Sequence, residues 1–289
     1  METQHLEAFI AVAEAGSFSR AADRIHLTQP AISKRIALLE QDLECRLFDR
    51  IGRHIDLTQA GHALLPRARE LLLSIDETRQ QIRDLSGIVS GSLRLAISHH
   101  IGLHRLPPIL QRFTCEHPEV ALDIDFMDSE IAYEAVRLGE FEMAVITLAP
   151  ESHNRIAATV LWHDPLQLVC GRAHPLATLG RVTLATLSAH AAILPGLNTY
   201  TGQMIKAHFD RHRKTLNATM ATNYLETIKM MVSVGLGWSL LPTTMLDATL
   251  APLDCKQLAL TRELGYIHHQ ERSLSNAARR FIELLHDEP

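Results

Sequence analysis

The stretch TQPAISKR places Thr28, Gln29, Ser33, Lys34 and Arg35 on one polar face at helical spacing. Amides, hydroxyls and cations in that order are the groups that meet base edges and phosphates in a DNA major groove. Ile32, Ile36, Leu39 and Leu43 recur on the other side and are expected to face inward. A second candidate constellation lies far downstream, in Ser98, His99, His100, Met127, Ser129, Thr147, the loop Asn198-Thr199-Tyr200-Thr201, and Asn223. These are mostly neutral donors that suit a small carboxylate or oxyanion.

The first set needs a helix that opens at its polar end. Thr28 is placed to cap it and Pro30 sits in the first turn, where a missing N–H costs nothing, so a helix is predicted from Pro30 to about Asp42. Leu6, Phe9, Ile10 and Ala13 predict an earlier helix over 3–15, stopped by Gly16. Ser17 then caps a second helix whose Phe18, Ala21, Ala22 and Ile25 form an apolar face. Two short helices of this kind make a helix-turn-helix. LFDRIGRHIDL reads as a hairpin anchored by Leu47 and Phe48 and turned at Gly52, with Ile55 and Leu57 returning to the core. Arg50 and Arg53 at its tip suit phosphates or a narrow minor groove. The DNA-facing set is therefore Ser17, Arg20, Thr28, Gln29, Pro30, Ser33, Lys34, Arg35, Arg50 and Arg53. A helical bundle without DNA contact would explain the apolar faces but leave the polar stripe and the arginine hairpin without a role.

The second set needs strands that end in loops. After Leu93 apolar runs LRLAIS, ALDIDF and EMAVIT alternate with the helical segments LHRLPPILQRFTCEH and IAYEAVRLGE, which implies parallel strands with crossover helices. LQLVC, AAILP, ATMAT and GWSLLP continue the strands, and a last helix falls in LSNAARRFIELL. In open α/β sheets ligands collect beyond the carboxyl ends of strands, where the second constellation falls. Ordinary helix capping is the alternative role for Ser98, Thr201 and Asn223. His99-His100 has no third ligand beside it in the chain, and adjacent histidines point apart, so no metal is expected. Met230-Met231 reads as core.

At 289 residues the chain exceeds what one hydrophobic core usually supports. Its 46% hydrophobic and 21% charged content is that of a globular protein. The net charge of -5 carries no bulk signal for nucleic acid, and residues 1–90 hold 11 Lys/Arg against 13 Asp/Glu. Locally the balance reverses: between Ser17 and Arg53 seven basic residues face five acidic ones. No run approaches the ~20 apolar residues of a bilayer span, and Glu2, Glu7 and Glu14 stand where a secretion leader would be basic or apolar. A cytoplasmic protein without membrane contact is expected. Cys45, Cys115, Cys170 and Cys255 show no C-x-x-C spacing and read as reduced thiols. With no G-x-S-x-G elbow, H-E-x-x-H or phosphate-binding glycine loop, neither an enzyme nor a cofactor is expected.

SFSRAADRIHLTQPAISKRIALLEQDLECRLFDRIGRHIDLTQAG resembles, almost without a break, the DNA-binding domain of LysR-type transcriptional regulators. The likeness includes the Ala21-Ala22 pair, the T-Q-P-A-I-S helix start, L-E, L-F-x-R and the final L-T-x-A-G. It implies base contacts from Gln29 and Ser33, with Thr28, Pro30 and Lys34 at the groove or backbone. Many members carry Arg at the Lys34 position; lysine lacks the bidentate fork for guanine, which favours a phosphate role. The weaker resemblance downstream includes G-L-G-W-S-L-L-P. It implies a two-lobed α/β domain like a periplasmic binding protein, with an effector at Ser98, Thr147 and the Asn198–Thr201 loop. Redox-sensing relatives use a cysteine pair where residues 196–216 here have none, so no disulfide switch of that design is expected.

The expected organisation is an N-terminal all-α winged helix-turn-helix domain over 1–58, a long linker helix over 59–87, and an α/β effector-binding domain over 88–289. Its two lobes would have crossovers near 161–165 and 263–268. Leu64, Leu65, Ala68, Leu71, Leu72, Ile75, Ile82 and Leu85 form a seam too long to stand alone. It would pair with a second subunit or pack on its own chain. The resemblance favours a homodimer on a partly palindromic promoter site, a tetramer beyond it, and RNA polymerase as a further partner. Residues 86–92, SGIVSGS, read as a hinge. A solute-binding module without DNA contact would account for the second half alone.

Overall fold

The computed structural model describes residues 1–51, 54–85, 87–151 and 154–287. The chain divides into two units, Met1–Ile88 with Leu138–Glu140, and Val89–Arg137 with Phe141–Pro289.

In the first unit the apolar faces predicted above close on one another. Helices α1 (Thr3–Ala15), α2 (Phe18–Arg24) and α3 (Gln29–Asp42) bury Phe9, Val12, Phe18, Ala21, Ala22, Ile32, Ile36 and Leu39 in one core. Leu43, expected inside, sits at the end of α3 and is 37% exposed, because the helix stops before its side chain can turn inward. Strands β1 (Phe48–Ile51) and β2 (His54–Leu57) pair antiparallel, with Phe48 opposite Leu57. Phe48 packs tilted against Phe9 and edge-on to Phe18, with ring centroids 5.3 and 6.0 Å away.

Two motif residues now have physical reasons. The Glu40 carboxylate accepts the backbone N–H of Leu47 at 2.7 Å and of Phe48 at 3.4 Å, fixing the hairpin to α3. The Thr58 hydroxyl donates to the Arg46 carbonyl at 2.7 Å and accepts from Gly61 N–H at 3.0 Å. A Cβ at Gly61 would collide with the Leu47 carbonyl oxygen, so only glycine lets α4 (Gln59–Asp84) start this close to the hairpin.

Helix α4 has 26 residues, about 39 Å at ~1.5 Å each. Its seam divides. Ala68 is buried and Leu64, Leu65 and Leu72 pack on the three-helix core, whereas Leu71, Ile82 and Leu85 are 42%, 65% and 86% exposed.

The second unit builds two lobes that share strands. The first lobe holds β3 (Gly91–Ile97), α5 (His99–His104), α6 (Pro107–Glu116), β4 (Val120–Phe126), α7 (Ser129–Leu138) and β5 (Met143–Thr147). Next come the long strand β6 (Ile156–Gly171), then α8 (Leu184–Ser188), β7 (Ala192–Leu194), α9 (Tyr200–Arg211), β8 (Ala218–Ala221), α10 (Leu225–Ser233) and β9 (Trp238–Pro242). The chain finishes with β10 (Leu250–Pro252), β11 (Leu260–His269) and α11 (Asn276–Asp287). Among the described residues the strand order is β4-β3-β5-β11-β6-β9-β7-β8, with β10 beside β6.

Parallel pairing holds where it was expected, in β3 with β4 and β5, and in β7 with β8 and β9. Between them β6 and β11 run antiparallel. Strand β11 pairs with β5 and β6 pairs with β9, so these two strands carry the chain through both lobes. Reading LQLVC as a strand caught only the last part of β6, whose earlier half, IAATVLWHDP, alternates in burial like a half-covered strand without a matching polar–apolar alternation in sequence. LHRLPPILQRFTCEH also proves to be two helices: Pro107 begins α6, and the segment taken for a loop after β3 is itself α5.

Helices cover both faces of each lobe, so all five residues of β5 and of β9 are buried. Helix α11 buries Ala277, Ala278, Phe281, Leu284 and Leu285, and Phe281 meets Phe113 of α6 edge to face at 5.3 Å. Burying each large side chain of this kind contributes about 1.5–3 kcal/mol. In the second lobe Trp238 is fully buried and its indole N–H donates to the Leu187 carbonyl at 3.1 Å. Met231 of α10 is partly buried against the second lobe's core, while Met230, read as core, is 53% exposed. No helix among the described residues is long and apolar enough to cross a membrane.

Candidate nucleic-acid interface and ligand cleft

Thr28 accepts the Ala31 N–H at 3.4 Å and so starts α3, while Ser17 does the same for α2 through Arg20 N–H at 3.4 Å. Thr28, Gln29, Pro30 and Lys34 are exposed and Ser33 is half-buried, on the side of α3 opposite Ile32, Ile36 and Leu39. Gln29 and Ser33 touch at 3.5 Å, a long contact that a base edge can replace. Arg20 is exposed on α2.

Arg35 departs from the outward stripe. It is half-buried and its guanidinium donates to Gln4 Oε1 of α1 at 2.9 Å, so it braces the recognition helix. The backbone of Arg50 lies in β1 opposite Ile55. Gly52 and Arg53 lie outside the described residues.

In the second unit a single cavity is lined by Ser98, His99, His100, Met127, Ser129, Thr147, Thr199, Thr201 and Asn223. The carboxyl ends of β3, β4 and β5 bring the first six together, and the loop before α9 and the turn before α10 bring the rest. Asn198 and Tyr200 are not among its walls. Asn198 is exposed and its backbone carbonyl accepts from the Gln203 side chain, while Tyr200 contributes through its backbone N–H, which donates to Glu130 Oε1.

Two hydroxyls are committed to positioning. Ser129 accepts the Thr147 N–H at 3.1 Å. Thr199 donates to the Gly196 carbonyl at 2.7 Å and accepts from Gly202 N–H at 3.0 Å, the capping arrangement that starts α9. A Cβ at Gly202 would strike the Gly196 carbonyl, so glycine there lets the loop fold back on the helix. Asn223 precedes α10 without capping it. Its side chain accepts the Gly196 N–H at 2.9 Å and donates to Asp128 at 2.6 Å, joining the lobes.

The cavity is also lined by Asp128, Glu130, Pro195, Leu225 and Arg262, none of which sequence reasoning selected. Burial, opposed by the Tyr200 N–H, leaves the Glu130 carboxyl above the ordinary glutamate range. Arg262 stands directly across the ladder from Asp164. It donates to that carboxylate through Nε at 3.1 Å and through a terminal nitrogen as well, with both side chains almost fully buried. Its other terminal nitrogen reaches Thr201 Oγ1 at 3.5 Å. A lone arginine inside the apolar run of β11 was the available signal.

His100 is buried and neither ring nitrogen has a hydrogen-bond partner among the described residues. Desolvation first, then the Arg262 charge, lowers its pKa to about 3, so the imidazole is neutral. His99 lies instead against Phe126 and Tyr224, with ring centroids 5.9 and 4.7 Å away.

Residues 3–62 match the family model described as "Bacterial regulatory helix-turn-helix protein, lysR family", and residues 86–289 match "LysR substrate binding domain". The chain belongs to the LysR family of transcriptional regulators. Over 108 residues this LysR-type regulator is 64% identical to an uncharacterized HTH-type transcriptional regulator from the ibpB-leuC intergenic region of Azotobacter vinelandii, covering 37% of this chain and 75% of that one. Over 290 residues it is 31% identical to the uncharacterized HTH-type transcriptional regulator YbhD of Escherichia coli K12, covering 98% and 90%. The crystal structure of full-length CbnR in complex with its target DNA shares the fold, with a TM-score of 0.67 at 24% identity over 99% of both chains. The matched families are regulators, not enzymes, so this LysR-type chain joins a DNA-binding domain to a substrate-binding domain.

Proposed function

We propose that this regulator reads promoter DNA through the exposed face of α3. Its response would be set by a small anionic effector in the cleft between the two α/β lobes. The observation that carries the DNA reading is the exposure of Thr28, Gln29, Pro30 and Lys34 on a helix whose opposite face anchors the domain core. Gln29 and Ser33 are assigned to base edges, and Thr28, Lys34, Arg20, Arg50 and Arg53 to the groove wall and phosphates. Binding to DNA upstream of the regulator's own and neighbouring genes tests this in a salt titration. Sequence-selective binding that weakens with salt is expected; its absence would overturn the assignment.

For the effector, the supporting observation is that the cleft's donors already hold carboxylates. Glu130 takes the Tyr200 N–H and Asp128 takes the Asn223 amide. A small carboxylate or oxyanion would compete for the same groups, with Ser98, Thr147 and Thr201 beside them, and would change how the lobes are tied. A thermal-shift screen of the full-length protein against small carboxylates and sulfur or phosphorus oxyanions is expected to yield a stabilising anion. Stabilisation by neutral or cationic compounds alone would refute the anionic assignment.

The exposed far half of α4, with Ile82, Leu85 and Ile88, is assigned to a second copy of the chain, giving a homodimer with two reading heads. Ile82→Lys with Leu85→Lys is expected to yield monomers in sedimentation; an unchanged assembly would remove α4 from the interface.

A further inference from the structure

His100 and His104 stand one turn apart on α5, so both rings project from the same side of the helix, with centroids 4.8 Å apart. Glu226, in the first turn of α10, approaches from the second lobe, and its Oε1 lies 2.8 Å from His104 Nε2. The candidate ligand atoms of all three residues lie within 4.8 Å of one another. This is the third donor that the His99-His100 pair lacks in sequence: one histidine of that pair turns toward it, and the other stacks on Phe126 and Tyr224.

We propose that His100, His104 and Glu226 form a binding site for a divalent first-row transition ion, with zinc as the reference case, that clasps α5 of one lobe to α10 of the other.

Three features carry the assignment. The buried His100 ring has no partner at either nitrogen, and a neutral imidazole without partners carries a desolvation penalty that a metal bond would offset. Two imidazoles and one carboxylate suit zinc, nickel, cobalt or copper, whereas magnesium and calcium prefer all-oxygen shells. The local charge is shared: Glu226 is acidic and draws a cation, while Arg262, whose field opposes positive charge at His100, is itself paired with Asp164.

Tetrahedral zinc at ~2.0–2.2 Å from each donor sets ligand atoms about 3.4 Å from one another, so His104 Nε2 and Glu226 Oε1, 2.8 Å apart, would part slightly while the His100 donor closes from within 4.8 Å. The His104 and Glu226 side chains, 38% and 42% exposed, have room to close that gap by rotation. Three protein ligands leave a fourth position for water. The site stands whether or not the cleft accepts an anion.

The test is a zinc titration of the full-length, chelator-stripped protein against a chromogenic competitor, repeated with cobalt to read its visible d–d bands. The chain has 17 histidines, so adventitious binding must be separated from the site. His104→Gln and Glu226→Gln change partly exposed side chains and leave the core intact, and His163→Gln, at an exposed position on β6, serves as the control. The expected result is one tight equivalent per chain, weakened about 10- to 100-fold or more in both site variants and unchanged in the control, with no response to magnesium. Absence of a tight equivalent in the unmodified protein, or the same affinity in His104→Gln and Glu226→Gln, would overturn the proposal.

Discussion

The DNA-facing side of α3 and the cleft of the second unit are both polar surfaces, but they are built in opposite ways. On α3 the polar groups stand on a helix whose other face supplies the core, and Gln29, Pro30 and Lys34 remain open to solvent. In the cleft the polar groups are buried and bonded to one another across lobes, as Asn223 is to Asp128 and Thr201 to Arg262. The first surface is therefore held ready for a partner. On the proposed reading the second would exchange its own contacts for those of a ligand, which is the behaviour of a switch.

The largest test of this contrast is Arg262→Met. It leaves Asp164 buried without its cation, which should cost the second unit about 3–5 kcal/mol, while Asp164→Leu with Arg262→Met recovers most of that loss. Denaturant unfolding followed by tryptophan fluorescence reads this unit alone, since Trp162 and Trp238 are the chain's only tryptophans. A loss below about 1 kcal/mol would show that the cleft floor is not a desolvated ion pair.

Next in size is Glu40→Ala. Removing the acceptor for two backbone N–H groups should cost about 1–3 kcal/mol and deprotect the Leu47 and Phe48 amides in hydrogen exchange. DNA affinity should then fall for all sequences alike; a selective loss would place Glu40 in base reading.

Substitutions on the open face should leave stability unchanged and divide by role. Ser33→Ala should reduce discrimination between cognate and altered sites by about 1 kcal/mol. Lys34→Ala should weaken every sequence and lower the salt slope by ~0.9, as one lost phosphate contact requires. Equal loss of discrimination in both variants would erase that division.

The smallest effect belongs to Glu130→Gln, which keeps an acceptor for Tyr200 N–H but removes the charge. A stabilising anion should bind a few-fold tighter to this variant. The carboxyl pKa is raised, so in the unmodified protein the charge is lost as pH falls through a value above the usual glutamate range. Anion affinity should therefore rise on acidification, and Glu130→Gln should flatten that dependence. An unchanged pH profile in the variant would assign the titration to another group.

The first unit was legible because its contacts are local. Ser17 and Thr28 each mark a helix start through a bond to a residue a turn away, Pro30 marks one by needing no N–H partner, and periodicity alone placed Phe18, Ala21, Ile32 and Ile36 in the core. The bond from Arg35 to Gln4 was not legible, because Gln4 lies on another helix and leaves no mark on the stripe. In the second unit strand ends pointed to one cavity, yet selection by neutral polar type passed over Asp128, Glu130 and Arg262, whose charges are compensated only by residues distant in the chain.

By itself, then, the sequence determined the helix starts and apolar faces of the first unit, much of the order of strands and helices in the second, and the family, since each is set by neighbours within a few turns or by a contiguous motif. Only the tertiary structure decided which charges share the cleft, that β6 and β11 tie the lobes together, and that Glu226 meets His100 and His104. The physical reason is that burying a charge is tolerable only beside a compensating group, and the fold supplies those groups from segments about a hundred residues away in the chain.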